Sequence, residues 1–319
     1  MVHIIMAITP TWLADKDLIM HGTQYHTEVL NKFMKYQSEA IVTIFDSLLQ
    51  LEYYYHLKMD ACGYHFVDDR IVKDPVYTRM AWGGPNFIEE LLSEIEAFSL
   101  KANFRKFYNE HLNYYDNLSQ VMEEQSPIQK QWDWLEEQFT MRYDHYRIIF
   151  SPLVSANHST NSYIQNDFKQ TAMFVCGPID NEQLSKEIKE GLMTRVIFTE
   201  IDHNYVTPAT DRYLREVDIA LQNIDKWVNE KSKNVYDTPY SVFNEYMTWA
   251  VFTAYLSDYF SKDYFGEINN RVEKQMTERR GFYKFSEFNT FFMNLYINKS
   301  KDVTIELLYP QLIYWFANQ

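Results

Sequence analysis

The chain has 319 residues, of which 46% are hydrophobic and 17% aromatic, and its formal net charge is −14. This apolar content can build a sizeable core, which excludes a globally disordered chain. The excess of acidic residues argues against nucleic acid and anionic membrane surfaces as partners, because both attract clustered Lys and Arg. The length fits one large domain or two packed lobes.

The two cysteines, Cys62 and Cys176, are too few for a Cys-rich zinc site or a disulfide framework. Whether they pair with each other stays open. The first residues lack the basic segment, long apolar stretch and cleavage site of a signal peptide, but the mature form of an exported protein would look the same. The compartment therefore stays unknown, and no apolar run approaches the roughly 18 residues of a membrane span.

Helical periodicity dominates the first part of the chain. Apolar residues recur at spacings of three and four between residues 25 and 58, which predicts helices. The stretch "WGGPN" at 82–86 is a break, after which "NFIEELLSEIEAF" and residues 104–124 again show a helical pattern. Ser126, followed by proline and by Gln129, predicts a capping box at the start of another helix.

The pattern changes between residues 146 and 178. The stretches "YRIIFSPLV" and "TAMFVCGP" are short, apolar and rich in strand-forming residues, and we expect two neighbouring strands joined by a polar loop at 155–167. Asp180 and Gln183 then predict the start of a helix that runs to Val206 and stops before Pro208.

The last third of the chain is predicted to be helical. Thr238 and Pro239 begin a helix that is apolar on almost every side and should therefore be central. Further helices are expected near 262–280, 286–298 and 304–318. Together these elements predict a mainly helical α+β protein, in which a helical region at 1–142 packs on a core at 143–319. A single continuous domain is an open alternative.

One helical segment carries residues typical of a zinc peptidase. In the pattern His-Glu-x-x-His, two histidines four residues apart bind zinc, and the glutamate between them activates a bound water. Residues 199–203, "TEIDH", supply that glutamate as Glu200 and the second histidine as His203. Glu245, in "FNEYMTWA" on a later helix, stands where a third ligand would be. The alternative interpretation of Glu200 and His203 is an ordinary side-chain pair on a helix surface.

The block from 127 to 260 resembles a bacterial family of domains of unknown function that has a gluzincin-type metallopeptidase core. The resemblance is carried in order by "RIIFSPLV", "AMFVCGP", "TEIDHNYVTP" and "VFNEYMTWAVFTAYL". It implies a zincin-like core at 143–319. It also implies that Glu200 is a catalytic base and that His203 and Glu245 are metal ligands.

The chain departs from this family at the first ligand, which is Thr199 instead of histidine. A hydroxyl is a much poorer zinc ligand than an imidazole. Glu200 itself, Asp202, or a metal that prefers oxygen ligands could compensate. The expected cofactor is therefore none, or a single divalent metal, with zinc as the first choice.

Several neighbouring residues are expected to line the same pocket, namely Thr199, Asp202, Asn204 and Tyr205. Tyr205 is in addition a candidate catalytic residue, as a donor to an oxyanion. A plain packing role stays open for both Asn204 and Tyr205.

These observations predict a degenerate metallopeptidase-like protein that keeps a cleft formed by Glu200, His203 and Glu245 and has weak or no zinc catalysis. One alternative is an active metal-dependent hydrolase or peptidase with a non-standard ligand set. Another is an interaction module that binds a peptide or a glycan. The expected partner is a peptide or protein, and the oligomeric state stays open.

Overall fold

The computed structural model of the protein describes residues 1–15, 17–74, 81, 83–155, 158–179 and 181–319. Contacts divide the chain into two compact units. The first contains residues 1–122 and 143–178, and the second contains residues 123–142 and 179–319. Helices dominate and the sheets are small, which confirms the mainly helical α+β class. The division into 1–142 and 143–319 stays a prediction.

The helices of the first unit confirm the helical periodicity between residues 25 and 58 and after residue 86. Phe33, Phe45 and Leu57 are fully buried in its core. The helices are α1 (Val2–Ala7), α2 (Pro10–Ala14), α3 (Gln24–Phe33), α4 (Ala40–Gln50), α5 (Tyr54–Ala61), α6 (Phe87–Glu90), α7 (Leu92–Ala102) and α8 (Phe104–Glu110), with a 3₁₀ turn at Met34–Tyr36. Helix α9 (Leu112–Gln125) also begins in this unit, and its residues 123–125 belong to the second.

The first unit also contains both sheets. The hairpin of β1 (Tyr64–Val67) and β2 (Arg70–Lys73) is antiparallel and was not expected from the sequence. The second sheet has the order β3-β5-β4, in which β5 runs parallel to β3 and antiparallel to β4. Its strands are β3 (His145–Ser151), β4 (Ser159–Gln165) and β5 (Phe168–Cys176).

The predicted pairing of the two apolar segments is confirmed, because Ile148 in β3 lies opposite Met173 in β5. The polar loop predicted at 155–167 is wrong for residues 159–165, which form β4. This strand lies at the edge of the sheet and buries only Ser159 and Tyr163. A strand with so little apolar surface gives a weak sequence signal.

The second unit is helical. Its helices are α10 (Ile128–Gln138), α11 (Lys186–Ile201), α12 (His203–Thr210), α13 (Leu214–Ala220), α14 (Glu230–Lys233), α15 (Pro239–Tyr259), α16 (Lys262–Lys274), α17 (Phe285–Asn298) and α18 (Ile305–Ala317). Two 3₁₀ turns at Asp211–Tyr213 and Ile224–Lys226 and a π-helical turn at Gln275–Arg279 complete it.

Helix α15 is the centre of the second unit, as its sequence predicts. The Thr238 side chain accepts a hydrogen bond from the Ser241 amide, and Pro239 occupies the first helical position. Every residue from Val242 to Leu256 is buried. The helix packs against α11, α12, α13, α16 and α17, which explains why it is apolar on almost every side.

The prediction of one helix that ends before Pro208 is wrong. Helix α11 is capped by Ser185 and ends at Ile201, and α12 begins at His203 and includes Pro208. Most of α12 is buried, and this packing offsets the backbone hydrogen bond that a proline removes. The predicted cap at Asp180 lies outside the described residues.

The capping box predicted at Ser126 and Gln129 is also wrong. Helix α10 starts one residue later, with Pro127 at its N-cap position and no side-chain cap. The Ser126 hydroxyl instead accepts a hydrogen bond from the Gln131 side chain at 2.6 Å, and the Gln129 amide donates to Asp133 at 2.7 Å. Both side chains therefore form hydrogen bonds with residues further along the helix instead of capping its first turn.

Candidate functional site

The three principal residues predicted from the sequence belong to three adjoining helices of the second unit. Glu200 lies in the last turn of α11, His203 begins α12, and Glu245 lies in the first half of α15. Both α11 and α12 pack against α15. The described structure places the His203 Nε2 atom 3.9 Å from Glu245 Oε2, so the expected proximity of this pair is confirmed.

Glu245 is held by two donors that the sequence analysis did not identify. Its side chain is only 5% exposed. The Arg280 guanidinium forms an ion pair with Oε1 at 2.6 Å, and the Trp249 indole donates a hydrogen bond to the same oxygen at 2.7 Å. The buried carboxylate therefore has a permanent cation beside it, which offsets the cost of its burial.

The position of Arg280 depends on the turn that follows the π-helical segment. Its amide donates to the Gln275 carbonyl at 3.0 Å. The next residue, Gly281, has φ +66°, and a Cβ there would lie within 3 Å of the Asn229 side chain. Only glycine fits this turn without a shift of Asn229. The Arg280 guanidinium also contacts the Tyr236 hydroxyl.

Two guanidinium groups lie against the indole of Trp249. The Arg280 and Arg195 Cζ atoms lie 5.1 Å and 5.6 Å from the ring centroid, within the range of cation–π contacts. Burial lowers the pKa of Arg280, but Glu245, Tyr236 and Glu200 raise it by more, so the net shift is upward. The group stays charged at every physiological pH.

His203 lies at the rim of this cluster, with 30% of its side chain exposed. Its Nδ1 atom and the Thr248 hydroxyl are 3.3 Å apart. Burial lowers the pKa of His203 below the usual 6.5, Glu245 opposes this shift, and Arg280 reinforces it. The net direction is downward, so the imidazole is neutral at pH 7.

Asp202, expected in the pocket, is fully buried at the junction of α11 and α12. Burial raises the pKa of this carboxyl group well above its usual 3.8, and the charges of Glu245 and Glu200 raise it further. The Thr248 hydroxyl and the His203 amide oppose the rise, although neither forms a hydrogen bond of ordinary geometry with it. The net direction of the pKa shift is upward, which favours the protonated form of this carboxyl group.

The other predicted residues are mostly engaged in local bonds. The Thr199 hydroxyl donates to the Arg195 carbonyl at 2.9 Å, and the Asn204 side chain donates to the Glu200 and Ile201 carbonyls, both at 3.2 Å. Asn204 thus bonds to two carbonyl groups of the last turn of α11, beside the break between α11 and α12.

Tyr205 is fully buried, and its hydroxyl donates a hydrogen bond to Glu136 at 3.4 Å. Its ring packs beside that of Phe139, with the centroids 5.9 Å apart. These contacts support the packing role left open by the sequence. The catalytic role of Tyr205 stays a prediction.

The residues of this cluster do not fit a zinc ion as they are arranged. Thr199 supplies no imidazole, one Glu245 oxygen already has two donors, and burial raises the pKa of Asp202, which disfavours the ionised form that binds a metal. Across the described residues, no three His, Cys, Asp or Glu side chains are placed to share a metal. A metal on the other Glu245 oxygen, Oε2, would lie next to the Arg280 guanidinium, whose positive charge disfavours a second cation there.

Comparisons with protein-family models, with curated proteins and with solved structures found no significant match to this chain. The resemblance to gluzincin-type domains thus rests on the sequence motifs alone. Among the described helices, none combines the length and apolar character needed to cross a membrane. Both cysteines are free thiols; Cys62 is buried and Cys176 is half-buried.

Proposed function

We propose that this chain is a metallopeptidase-like protein in which a guanidinium has replaced the metal, and that it binds a peptide or protein ligand without zinc-dependent hydrolysis. The observation that carries the proposal is the 2.6 Å ion pair between Arg280 and Glu245. Glu245 is the residue that the sequence motifs assign as the third metal ligand. The relation to metallopeptidases is inferred from those sequence motifs alone.

The chemistry of the two cations supports this proposal. A zinc site needs three strong protein ligands and an open position for water. Here one strong ligand is missing, because Thr199 stands where the zinc motif has a histidine. Arg280 supplies the positive charge that Glu245 requires. Because arginine is charged at every physiological pH, it competes with a metal under all conditions in which the protein is folded.

A binding role is supported by the exposure of two members of the cluster. The side chains of His203 and Arg280 are 30% and 23% exposed, whereas that of Glu245 is 5% exposed. His203 and Arg280 can therefore donate hydrogen bonds to a ligand while Glu245 holds them in place. An acidic or carbonyl group of a peptide suits these donors.

Zinc titration by calorimetry tests the proposal with three proteins: the wild type, Thr199→His, and the double variant Thr199→His/Arg280→Met. We expect no specific zinc binding by the wild type. The single variant should bind zinc weakly, because Arg280 still forms its ion pair with Glu245. The double variant should bind at least tenfold more tightly than the single variant, because it restores an imidazole pair and frees the carboxylate.

Thr43→His is the matched control, since Thr43 is an exposed helical threonine of the first unit. It adds an imidazole without restoring the motif and should not bind zinc. Circular dichroism would verify that each variant is folded. If the double variant binds no better than Thr43→His, the assignment of these residues to a former metal site is wrong.

A peptidase assay separates the proposal from the alternative of an active metal-dependent hydrolase. We expect no zinc-dependent hydrolysis of an unstructured protein such as casein by the wild type. Hydrolysis that depends on added zinc and is abolished by Glu200→Gln would instead establish the active hydrolase with a non-standard ligand set.

A further inference from the structure

A cavity of about 510 Å³ lies within the first unit, separate from the cluster described above. Its volume is in the range of small-molecule sites. Most of its wall is apolar and comes from both sheets and from helices α6, α7 and α8. The apolar residues include Ile71, Ile88, Ile95, Phe104, Ile149 and Phe174.

The charged residues of this cavity all have the same sign. Lys58, Arg105 and Arg147 line it, and none of the described lining residues is Asp or Glu. This is notable in a chain whose formal net charge is −14. A basic cavity in an acidic protein attracts a small anion, because the local field opposes that of the rest of the molecule.

Arg105 is the cation most available to a ligand. Its Cζ atom lies 5.2 Å and 6.0 Å from the ring centroids of Phe66 and Tyr108, and it has no carboxylate partner among the described residues. Arg147, in contrast, already pairs with Asp74 at 3.2 Å. The two rings hold the Arg105 guanidinium without neutralising its charge.

Two buried polar side chains in the wall also point to a ligand. His3 is nine-tenths buried, and its Nε2 atom has no hydrogen-bond partner among the described residues. Its ring packs 4.8 Å from that of Phe174. Lys58 is 1% exposed, and its Nζ atom lies 5.3 Å from the same ring. An unsatisfied buried nitrogen beside a buried cation is a typical feature of a site that a polar ligand completes.

We propose that this cavity binds a small amphipathic carboxylate, with its apolar body against the isoleucine and phenylalanine side chains and its carboxylate near Arg105 and His3. The apolar wall excludes a fully hydrophilic anion such as inorganic phosphate as the preferred ligand. The cations weaken the binding of a neutral amphiphile of the same length and exclude a cationic one.

Calorimetric titration with three probes of equal chain length tests the ligand class: decanoate, decanol and decyltrimethylammonium, each below its micelle concentration. We expect decanoate to bind at least tenfold more tightly than decanol, and the cation not to bind. Equal affinity for decanoate and decanol, or tighter binding of the cation, would overturn the proposal.

Two variants locate the site. Arg105→Gln should weaken decanoate binding about tenfold and leave decanol unchanged, because it removes one charge-assisted contact. The matched control is Lys35→Gln, which removes an exposed cation that lies 5.1 Å from the ring centroid of Tyr36 and does not line the cavity. Lys35→Gln should not change the affinity for decanoate.

Ala61→Phe is the second variant, because Ala61 lines the cavity and a larger side chain there would fill it. It should abolish the binding of both decanoate and decanol. Full decanoate affinity in Arg105→Gln, or in folded Ala61→Phe, would overturn the proposal. Since Arg105 is only half-buried, its variant tests the site even if Ala61→Phe fails to fold.

Discussion

At the scale of single residues, three acids are buried among the described residues of the second unit, and two of them, Glu245 and Asp202, differ in how the cost of burial is offset. Glu245 remains next to a cation and accepts two hydrogen bonds from charged and indole donors. Asp202 has no cation among the groups that shift its pKa, and burial raises that pKa and so favours the protonated form. Both outcomes follow from the high cost of burying an uncompensated charge.

Glu245→Gln should destabilise the protein by about 3 kcal/mol, because it leaves the Arg280 guanidinium without its main partner in a largely buried position. Glu267→Gln is the matched control: its ion pair with Arg271 is about half exposed and should contribute less than about 0.5 kcal/mol. Urea denaturation measures both. Similar small losses in the two variants would show that Glu245 faces an open, hydrated pocket.

Asp202→Asn should stabilise the protein at pH 7. The raised pKa of Asp202 means that its contribution to folding is fully present below pH 3.8, the ordinary pKa, and is lost as the pH rises towards the folded-state value. Asparagine mimics the protonated acid and cannot ionise. Thermal unfolding should therefore show a gain of a few degrees at pH 7 that disappears in strong acid.

The exposed Asp218→Asn is the control for this pH dependence, and it should show little difference from the wild type at either pH. If Asp202→Asn is less stable than the wild type at neutral pH, the carboxyl group must be ionised and paired. That outcome would contradict a protonated Asp202 in the folded protein.

Sequence reasoning found part of this site for a physical reason. A carboxylate in an apolar helix requires a partner, which led to His203. Trp249 was missed, although it follows Glu245 by four residues on the same face of α15 and could have been identified from that spacing. Arg280 could not be identified in the same way. It is thirty-five residues further along the chain and reaches Glu245 only because of the turn at Gly281.

At the scale of elements, α11 approaches α16 closely at a glycine. A Cβ at Gly191 would lie 2.1 Å from Ile268 Cδ1, so a larger residue requires the Ile268 side chain to shift or the helices to move apart. Gly191→Ala should cost about 1–3 kcal/mol through overpacking, despite the higher helix propensity of alanine. Denaturant unfolding measures the change.

Gly266→Ala is the matched control, because Gly266 lies in α16 with open space around it. It should stabilise the protein by up to about 1 kcal/mol. A Gly191→Ala protein as stable as the Gly266→Ala protein would mean that α11 and α16 are not in close contact at this point.

The elements that the sequence predicted well are those with strong local signals. Thr238 and Pro239 mark the start of α15, and the apolar segments of β3 and β5 are neighbours as expected. The elements that it missed depend on distant contacts. Strand β4 exists because β5 offers it a hydrogen-bonding edge, and α12 continues through Pro208 because its surface is buried. The secondary-structure propensity of the local sequence does not reveal strand pairing or helix burial, because both depend on distant residues.

At the scale of the whole molecule, the described residues form a candidate site in each compact unit. The first unit has a basic cavity with apolar walls, and the second has the cluster of Glu200, His203, Glu245 and Arg280. The overall acidic charge did not indicate either site. At each site, folding brings together charged side chains that are distant in sequence. The local charge that results, and not the net charge of the chain, would govern binding there.

The zinc content of the wild-type protein, purified without chelator, incubated with excess zinc and then desalted, shows whether Arg280 keeps a metal from Glu245. Since Arg280 already neutralises Glu245, we expect much less than one zinc per chain by mass spectrometry of the metal. One retained zinc per chain in the wild type, lost on Glu245→Gln, would contradict it.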